Sequence, residues 1–215
     1  MNDDLFKFDK SGTILKGMRD KSITNITIPA FVLTIDEGAF KGCKNLTSID
    51  IPKSVISIGN EAFRNCENLI SVNIPNSVTS IGMSAFQNCN SLTSINIPQS
   101  VVNIKYYAFL GCTSLKNIVV EKENPIYDSR NNCNAIIETA TNSLIFGCMN
   151  TNIPRSVTSI GVEAFYRCKG LTSIHIPNNV ISIKNKVFRE CFNLTSIDIP
   201  NSVTRIGNGA FSYCI

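Results

Sequence analysis

The sequence predicts a right-handed stack of short repeats built around a parallel β-sheet, and three observations predict it. Cysteines recur every 23 residues, at Cys43, Cys66, Cys89 and Cys112 and again at Cys168, Cys191 and Cys214. Prolines keep the same step 14 residues ahead of them, at Pro29, Pro52, Pro75 and Pro98 and again at Pro154, Pro177 and Pro200. Ahead of the prolines, polar and β-branched residues alternate, as in SIDIP at 48–52 and SINIP at 94–98, which is the pattern of a half-buried strand. The repeat reads L-T-S-I-x-I-P-x-S-V-T-S-I-G-x-x-A-F-x-x-C-x-x. No single copy can bury its apolar face, so the copies must stack.

Each part of the repeat has a physical reason. In SIDIP, Ile49 and Ile51 point inward while Ser48 and Asp50 point outward. The proline that follows has no N–H for a ladder, so the strand ends there. SVTSIG supplies a second short extended segment, and Gly59, Gly82, Gly161 and Gly207 suit a turn with positive φ. SAFQNC reads as a short helical turn whose phenylalanine faces the core, at Phe40, Phe63, Phe86, Phe109, Phe165, Phe188 and Phe211. Strands are expected around Ile28, Ile51, Ile74, Ile97, Val120, Ile153, Ile176 and Ile199. The period lies in the leucine-rich-repeat range. The expected fold is an α/β leucine-rich-repeat solenoid: a curved right-handed stack of about eight rungs with a parallel β-sheet, short helical turns and one inserted β-hairpin.

Residues 1–22 lack the repeat, and LFKFDKSGTILK alternates on both sides of DKSG, as an amino-terminal cap hairpin would. The solenoid then spans 23–215, with a β-hairpin insertion inside 121–150. Cys112 and Cys168 are 56 residues apart, two periods plus ten. Centring the extra segment on the turn TATN (139–142) pairs residues whose numbers sum to 281. One face then carries Cys133, Ala135, Ile137, Leu144, Phe146 and Cys148; the other carries Asn134, Glu138, Ser143 and Gly147, with Ile136 and Ile145 its large apolar pair. A one-residue slip would mix these faces. The sequence stops at GAFSYCI, where another strand would begin, so the last rung is expected to be either a truncation edge or a self-association site.

The stretch SVTSIGMSAFQNCNSLTSINIP resembles the BspA-like (treponemal-type) leucine-rich repeat, and the resemblance runs from 23 to 215. The resemblance implies a curved solenoid that binds other proteins, with adhesion to host matrix or cell-surface proteins the commonest role, and it brings no catalytic residues. Hairpin insertions also occur in that family. It further implies a cell-surface or secreted protein. The start, MNDDLFKFDKSGTILKGM, lacks the basic-then-apolar layout of a secretory signal, so either the protein stays in the cytoplasm or the sequence begins after a removed leader. No run of about 18 apolar residues is present to span a membrane.

Composition and motifs exclude most chemistry. The net charge of +4 is spread along a chain with 17% charged residues, and neither a Lys/Arg stripe nor an aromatic platform for bases occurs, so no nucleic-acid partner is expected. No Cys-x-x-Cys pair or Cys/His cluster has ligand spacing, and no Gly-Lys-Ser/Thr loop is present, so no metal or cofactor is expected. The seven periodic cysteines read as buried apolar plugs between Phe and Leu. Cys133 and Cys148 stand outside the rhythm, and the summed register sets them opposite each other as a candidate disulfide, with a pair of buried thiols as the alternative. His175, the single histidine, takes an outward strand position without a nucleophile–base partner.

The expected function is therefore non-enzymatic binding of a protein or glycan. The candidate surface is the outward strand face: Ser48, Asp50, Ser71, Asn73, Ser94, Asn96, Asn117, Val119, Ser173, His175, Ser196 and Asp198. The alternative contacts are the aromatics that replace small or polar residues, namely Tyr106, Tyr107, Tyr127, Tyr166 and Phe192. A structural repeat assembling through its last rung, or an intracellular scaffold, is the other reading.

Overall fold

Two short strands per repeat organise the computed structural model, which describes residues 3–214. The chain forms two units, one ending at Cys112 and one beginning at Thr113. The first holds β1 (Phe6–Phe8), β2 (Ile14–Met18), β3 (Asn25–Thr27), β4 (Thr34–Ile35), β5 (Ser48–Asp50), β6 (Ser57–Ile58), β7 (Ser71–Val72), β8 (Ser80–Ile81), β9 (Ser94–Ile97) and β10 (Asn103–Ile104). The second holds β11 (Asn117–Val120), β12 (Tyr127–Asp128), β13 (Ala135–Glu138), β14 (Ser143–Gly147), β15 (Ser159–Ile160), β16 (Ser173–His175), β17 (Ser182–Ile183), β18 (Ser196–Asp198) and β19 (Arg205–Ile206).

Each unit is a β-solenoid with parallel ladders. The SIDIP-type strands form β3-β5-β7 in the first unit and β16-β18 in the second. The longer ladders come from the TSI segments. In the first unit the order is β1-β2-β4-β6-β8-β10, with β1 antiparallel to β2 and the rest parallel. In the second it is β12-β13-β14-β15-β17-β19. The side-chain alternation follows the pleat: Ser48 and Asp50 are exposed, and Ile49 and Ile51 are buried.

The expected helical turns take another form. Among the described residues there is no α-helix, only two three-residue 3-10 segments at Asp3–Leu5 and Arg130–Asn132. The AF-x-x-C segments are runs of i-to-i+3 turns, such as Cys66 N–H to the Phe63 carbonyl at 3.1 Å. An α-helix would spend its N–H groups internally. Here alternate N–H groups reach the next rung: Glu61 to Met83, Phe63 to Ala85 and Asn65 to Gln87, at 2.7–2.8 Å. Two left-handed residues per turn make this possible, for example Glu61 (φ 53°) with Asn65 (φ 60°), and Ser84 with Asn88.

This third ladder sets the core. Phe40, Phe63, Phe86 and Phe109 stack with centroids 5.0, 5.0 and 5.5 Å apart and planes within 6°. Phe165, Phe188 and Phe211 also stack, at 5.2 and 5.4 Å with planes 14° and 10° apart. The periodic cysteines lie behind them, all buried but the half-buried Cys214, and they do more than fill space. Each thiol from Cys66 to Cys112 donates to the phenylalanine carbonyl of the rung before, as Cys66 to Phe40 at 3.1 Å and Cys89 to Phe63 at 3.2 Å. Cys191 and Cys214 repeat the contact on Phe165 and Phe188 at 3.0 Å.

Several expectations need correction. Gly59, Gly82, Gly161 and Gly207 do not have positive φ; that conformation falls on Gly12, Gly38, Gly42, Gly111 and Gly209. Close backbone approach explains the four instead: a Cβ on Gly82 would stand 2.4 Å from the Gly59 carbonyl carbon, and one on Gly207 2.4 Å from the Asn185 nitrogen. The strand expected at Ile153 is not formed, although Ile153 is buried. The insertion captures the residues just ahead of Ile153: Asn152 N–H bonds to the Cys133 carbonyl at 3.0 Å, and Thr151 Oγ1 bridges Cys148 N–H and the Asn134 carbonyl.

The insertion is a hairpin of β13 and β14, extended by β12 on the far side of β13. The 281 register holds for Ile137–Leu144 and Glu138–Ser143, then a bulge between Ile136 and Ile137 moves it by one, so Ala135 faces Gly147. The bulge turns Ile136 into the core, where it is buried beside Ala135 and Ile137. It also separates the candidate disulfide pair. The Cys148 thiol meets the Asn134 carbonyl at 3.4 Å, the Cys133 thiol turns to the Ala135 carbonyl at 3.9 Å, and both cysteines are free thiols.

Candidate functional site: the outward strand face

Because successive side chains alternate, every SIDIP-type strand sends one row of groups out of the core. In the first unit the register sets Ser48 beside Asn25 and Ser71, and Asp50 beside Thr27. Ser48 Oγ donates to Asn25 Oδ1 at 2.6 Å, and Thr47 Oγ1 reaches the same oxygen at 2.9 Å. These hydroxyls are therefore held in place across rungs. Asn25, Ile26, Thr27, Ser48, Ile49 and Asp50 line a depression of about 390 Å³. Farther along the same unit, Asn73 and Asn96 are exposed and Ser94 is half-buried.

The second unit presents its own part of the row. Ser173 lies beside Ser196 and His175 beside Asp198, all exposed. Asn117 is exposed on β11 with Val119, whose apolar side chain interrupts the polar row at 43% exposure. A second depression, of about 300 Å³, is lined by Arg155, His175, Pro177, Asn178 and Asn179. The arrangement supplies many hydrogen-bond donors and acceptors. It brings together no nucleophile with an oriented base. Among the described residues, no group of three His, Cys, Asp or Glu side chains is placed to hold a metal.

The aromatic candidates divide. Tyr106 and Tyr107 are exposed, at 79% and 42%, with ring centroids 6.3 Å apart. Phe192 is exposed. Tyr166 is half-buried: its hydroxyl donates to Glu190 at 3.1 Å and the Arg167 guanidinium lies 5.3 Å from its ring. Tyr127 is no surface contact, because β12 places its side chain in the core at 6% exposure. The sequence reading missed Tyr213, exposed and 5.6 Å from the Arg189 guanidinium. Its position in the repeat is otherwise taken by Gly, Asn, Arg or Glu, a signal available in the sequence.

Charges reinforce these positions. Burial pushes the Glu190 carboxyl upward, yet the hydrogen bond and charge of Arg167, 2.6 Å away, outweigh it and hold the group below its ordinary value. Burial raises the cysteine thiols, Cys112 and Cys191 to about 12 and Cys133 to about 11. Thiolate chemistry is thereby suppressed.

The family model described as BspA type leucine rich repeat region matches this chain in six copies, over residues 18–136 and 143–215. Among curated proteins, none matches. Among solved structures, a leucine-rich repeat protein from Eubacterium ventriosum superposes with TM-score 0.72 at 24% identity, over 94% of this chain and 64% of that one. This chain thus spans about two thirds of that protein's length. The Treponema pallidum leucine-rich repeat protein aligns at 26% identity and TM-score 0.60, over 99% of this chain and 87% of that one. A leucine-rich cell surface protein from Faecalibacterium prausnitzii aligns at 22% identity and TM-score 0.55, over 98% and 78%.

Proposed function

From the premise that the chain belongs to the BspA-type leucine-rich repeat family, we propose that it is a non-enzymatic protein-binding module whose partner lies along the outward strand face. The observation that carries this reading is the in-register row of exposed hydroxyl, amide and carboxylate groups, part of which is fixed across rungs by Ser48 and Asn25. Groups held in place lose little entropy on binding, so many modest hydrogen bonds add up. The name of the Faecalibacterium prausnitzii relative supports a place at the cell surface, where adhesion to a host protein is the fitting role. Fractionation of the native host into medium, envelope and cytosol tests that location.

A partner captured by pull-down and identified by mass spectrometry provides the assay. Ser94→Arg combined with Asn96→Glu puts two long charged side chains where small neutral groups stand on the outward face. Capture by this variant should fall, with the circular dichroism spectrum unchanged. A specific observation favours one competing contact: Tyr106 and Tyr107 are adjacent aromatic side chains exposed at 79% and 42%, and exposed aromatics are favoured interface anchors. If capture survives the face variant and is lost on Tyr106→Ala with Tyr107→Ala, the tyrosines are the contact and the strand face is not.

A further inference from the structure

The rung HIPNNV (175–180) departs from its neighbours at two positions, and both departures open onto one depression. In four other rungs a serine follows the proline by two residues and ties the rungs together, whereas the rung at Pro29 has Phe31 there and Ser156 accepts from Arg130 instead. Ser54, Ser77, Ser100 and Ser202 donate to the carbonyls of Val32, Val55, Val78 and Val180, at 2.6–2.9 Å. Asn179 stands in that place, makes no such bond to Val157, and lines the depression instead. At the outward strand position, where the other rungs carry Thr, Asp, Asn or Val, this rung carries His175.

One repeat earlier than Asn178, the wall is completed by Arg155, which is exposed and, among the described residues, engaged in no ion pair or side-chain hydrogen bond. Pro177, which is buried, also lines the depression. Side chains that have no hydrogen-bond partner among the described residues thus line about 300 Å³ of space together with Pro177. The depression in the first unit is the contrast: its Asn25 and Ser48 already bond each other, and its one charged side chain is Asp50.

We propose that the Arg155–His175–Asn179 depression is a subsite for a carboxylate side chain presented by an extended acidic segment of a protein partner. A guanidinium offers a fork that a carboxylate fills with two parallel hydrogen bonds. The amides of Asn178 and Asn179 add donors, and Pro177 accepts the methylene stem. The volume sits at the small end of ligand pockets, which suits one side chain better than a sugar oligomer. Asp198, beside His175 in the register, is the one acidic group on the adjoining strand and opposes the anion. The inference rests on the strand-face reading above and names the chemistry of its partner.

Fluorescence anisotropy of a short fluorescein-labelled peptide of alternating Glu and Gly tests it on the full chain. The Glu peptide should bind, and the matched Gln peptide should not. Arg155→Gln should weaken binding at least about tenfold. Asn179→Ser, which restores the repeat and so keeps the fold, should weaken it several-fold, while Asp198→Asn should tighten it. Equal binding of Glu and Gln peptides, or an unchanged affinity in Arg155→Gln, overturns the proposal. So does Arg155-dependent binding of an oligogalacturonate in place of the peptide. If the peptide fails while Ser94→Arg with Asn96→Glu still abolishes partner capture, the strand face stands and the subsite falls. If the peptide behaves as expected while capture ignores that variant, the subsite stands and the wider face does not.

Discussion

Gly82→Ala tests why this repeat carries glycine at the end of its TSI strand. A Cβ there would stand 2.4 Å from the Gly59 carbonyl carbon, 2.5 Å from Asn60 N and 2.6 Å from the Gly59 oxygen. Ordinary carbon contacts lie near 3.5–4.0 Å, so the two rungs must part by about 1 Å. All three obstructing atoms are backbone and cannot swing aside. Gly59 is held by its N–H on the Ile35 carbonyl at 2.7 Å, and Gly82 by its N–H on the Ile58 carbonyl at 2.8 Å. Overpacking costs about 1–3 kcal/mol and a strained or lost backbone hydrogen bond about another 1, so the expected loss is about 3 kcal/mol. With a urea slope of about 2 kcal/mol per M, the midpoint followed by far-ultraviolet circular dichroism falls by about 1.5 M. Gly42 is the control. It has φ 72° and nothing within 4 Å of an added Cβ, so Gly42→Ala carries only the left-handed cost of about 1 kcal/mol. Asparagine, which tolerates that conformation, recovers part of the loss at Gly42 and none of it at Gly82. If Gly82→Ala costs no more than Gly42→Ala and Asn rescues both, close approach is the wrong reason.

Replacing Tyr107, which holds φ 65°, by Gly should raise stability by about 1 kcal/mol in the same urea titration, whatever it does to partner capture. Thiol titration of the unfolded chain without reductant should count nine free cysteines, with alkylation of the folded chain slow at every site except the half-buried Cys214. Stability should fall in alkali. Burial lifts Cys112 and Cys191 to about 12 from the ordinary 9.0, so above pH 9 the unfolded chain holds fewer protons than the folded one. The contribution is complete below pH 9 and is lost as pH rises towards 12, with a slope of up to about 1.4 kcal/mol per pH unit per thiol. Cys191→Ala should flatten that slope by one thiol's share.

The scaffold was legible because its constraints recur. One phenylalanine per rung stacks on the next only if every rung has it, so the spacing of Phe40, Phe63 and Phe86 already specified the core. Features that depend on contacts between rungs were less visible. The i-to-i+3 turns look helical in sequence, since Ala and Phe suit a helix, and only the neighbouring rung's carbonyls decide that their N–H groups go elsewhere. The same holds for the thiol bonds: a cysteine in an apolar row reads as filler until the Phe63 carbonyl 3.2 Å from Cys89 is seen. The bulge at Ile136 was hidden because alternation carries no signal for one extra residue. It undid the pairing of Cys133 with Cys148.

The site follows the opposite logic. A residue that every rung shares answers to stacking, so it says little about a partner. A residue that one rung changes has been released from that duty. Asn179 gives up the Ser-to-Val carbonyl bond that Ser54, Ser77, Ser100 and Ser202 make, and its side chain makes no bond to Val157 in exchange. In sequence His175 is one outward strand position without a nucleophile–base partner, equivalent to Thr27, Asp50, Asn73, Asn96, Val119 and Asp198. Its neighbours in space are Arg155, from one repeat earlier, and Asp198, from one repeat later, and no window shorter than the repeat contains both. In a stacked fold the informative comparison is therefore between equivalent positions on adjacent rungs, where an unexplained exchange such as serine for asparagine marks the place to look for a ligand.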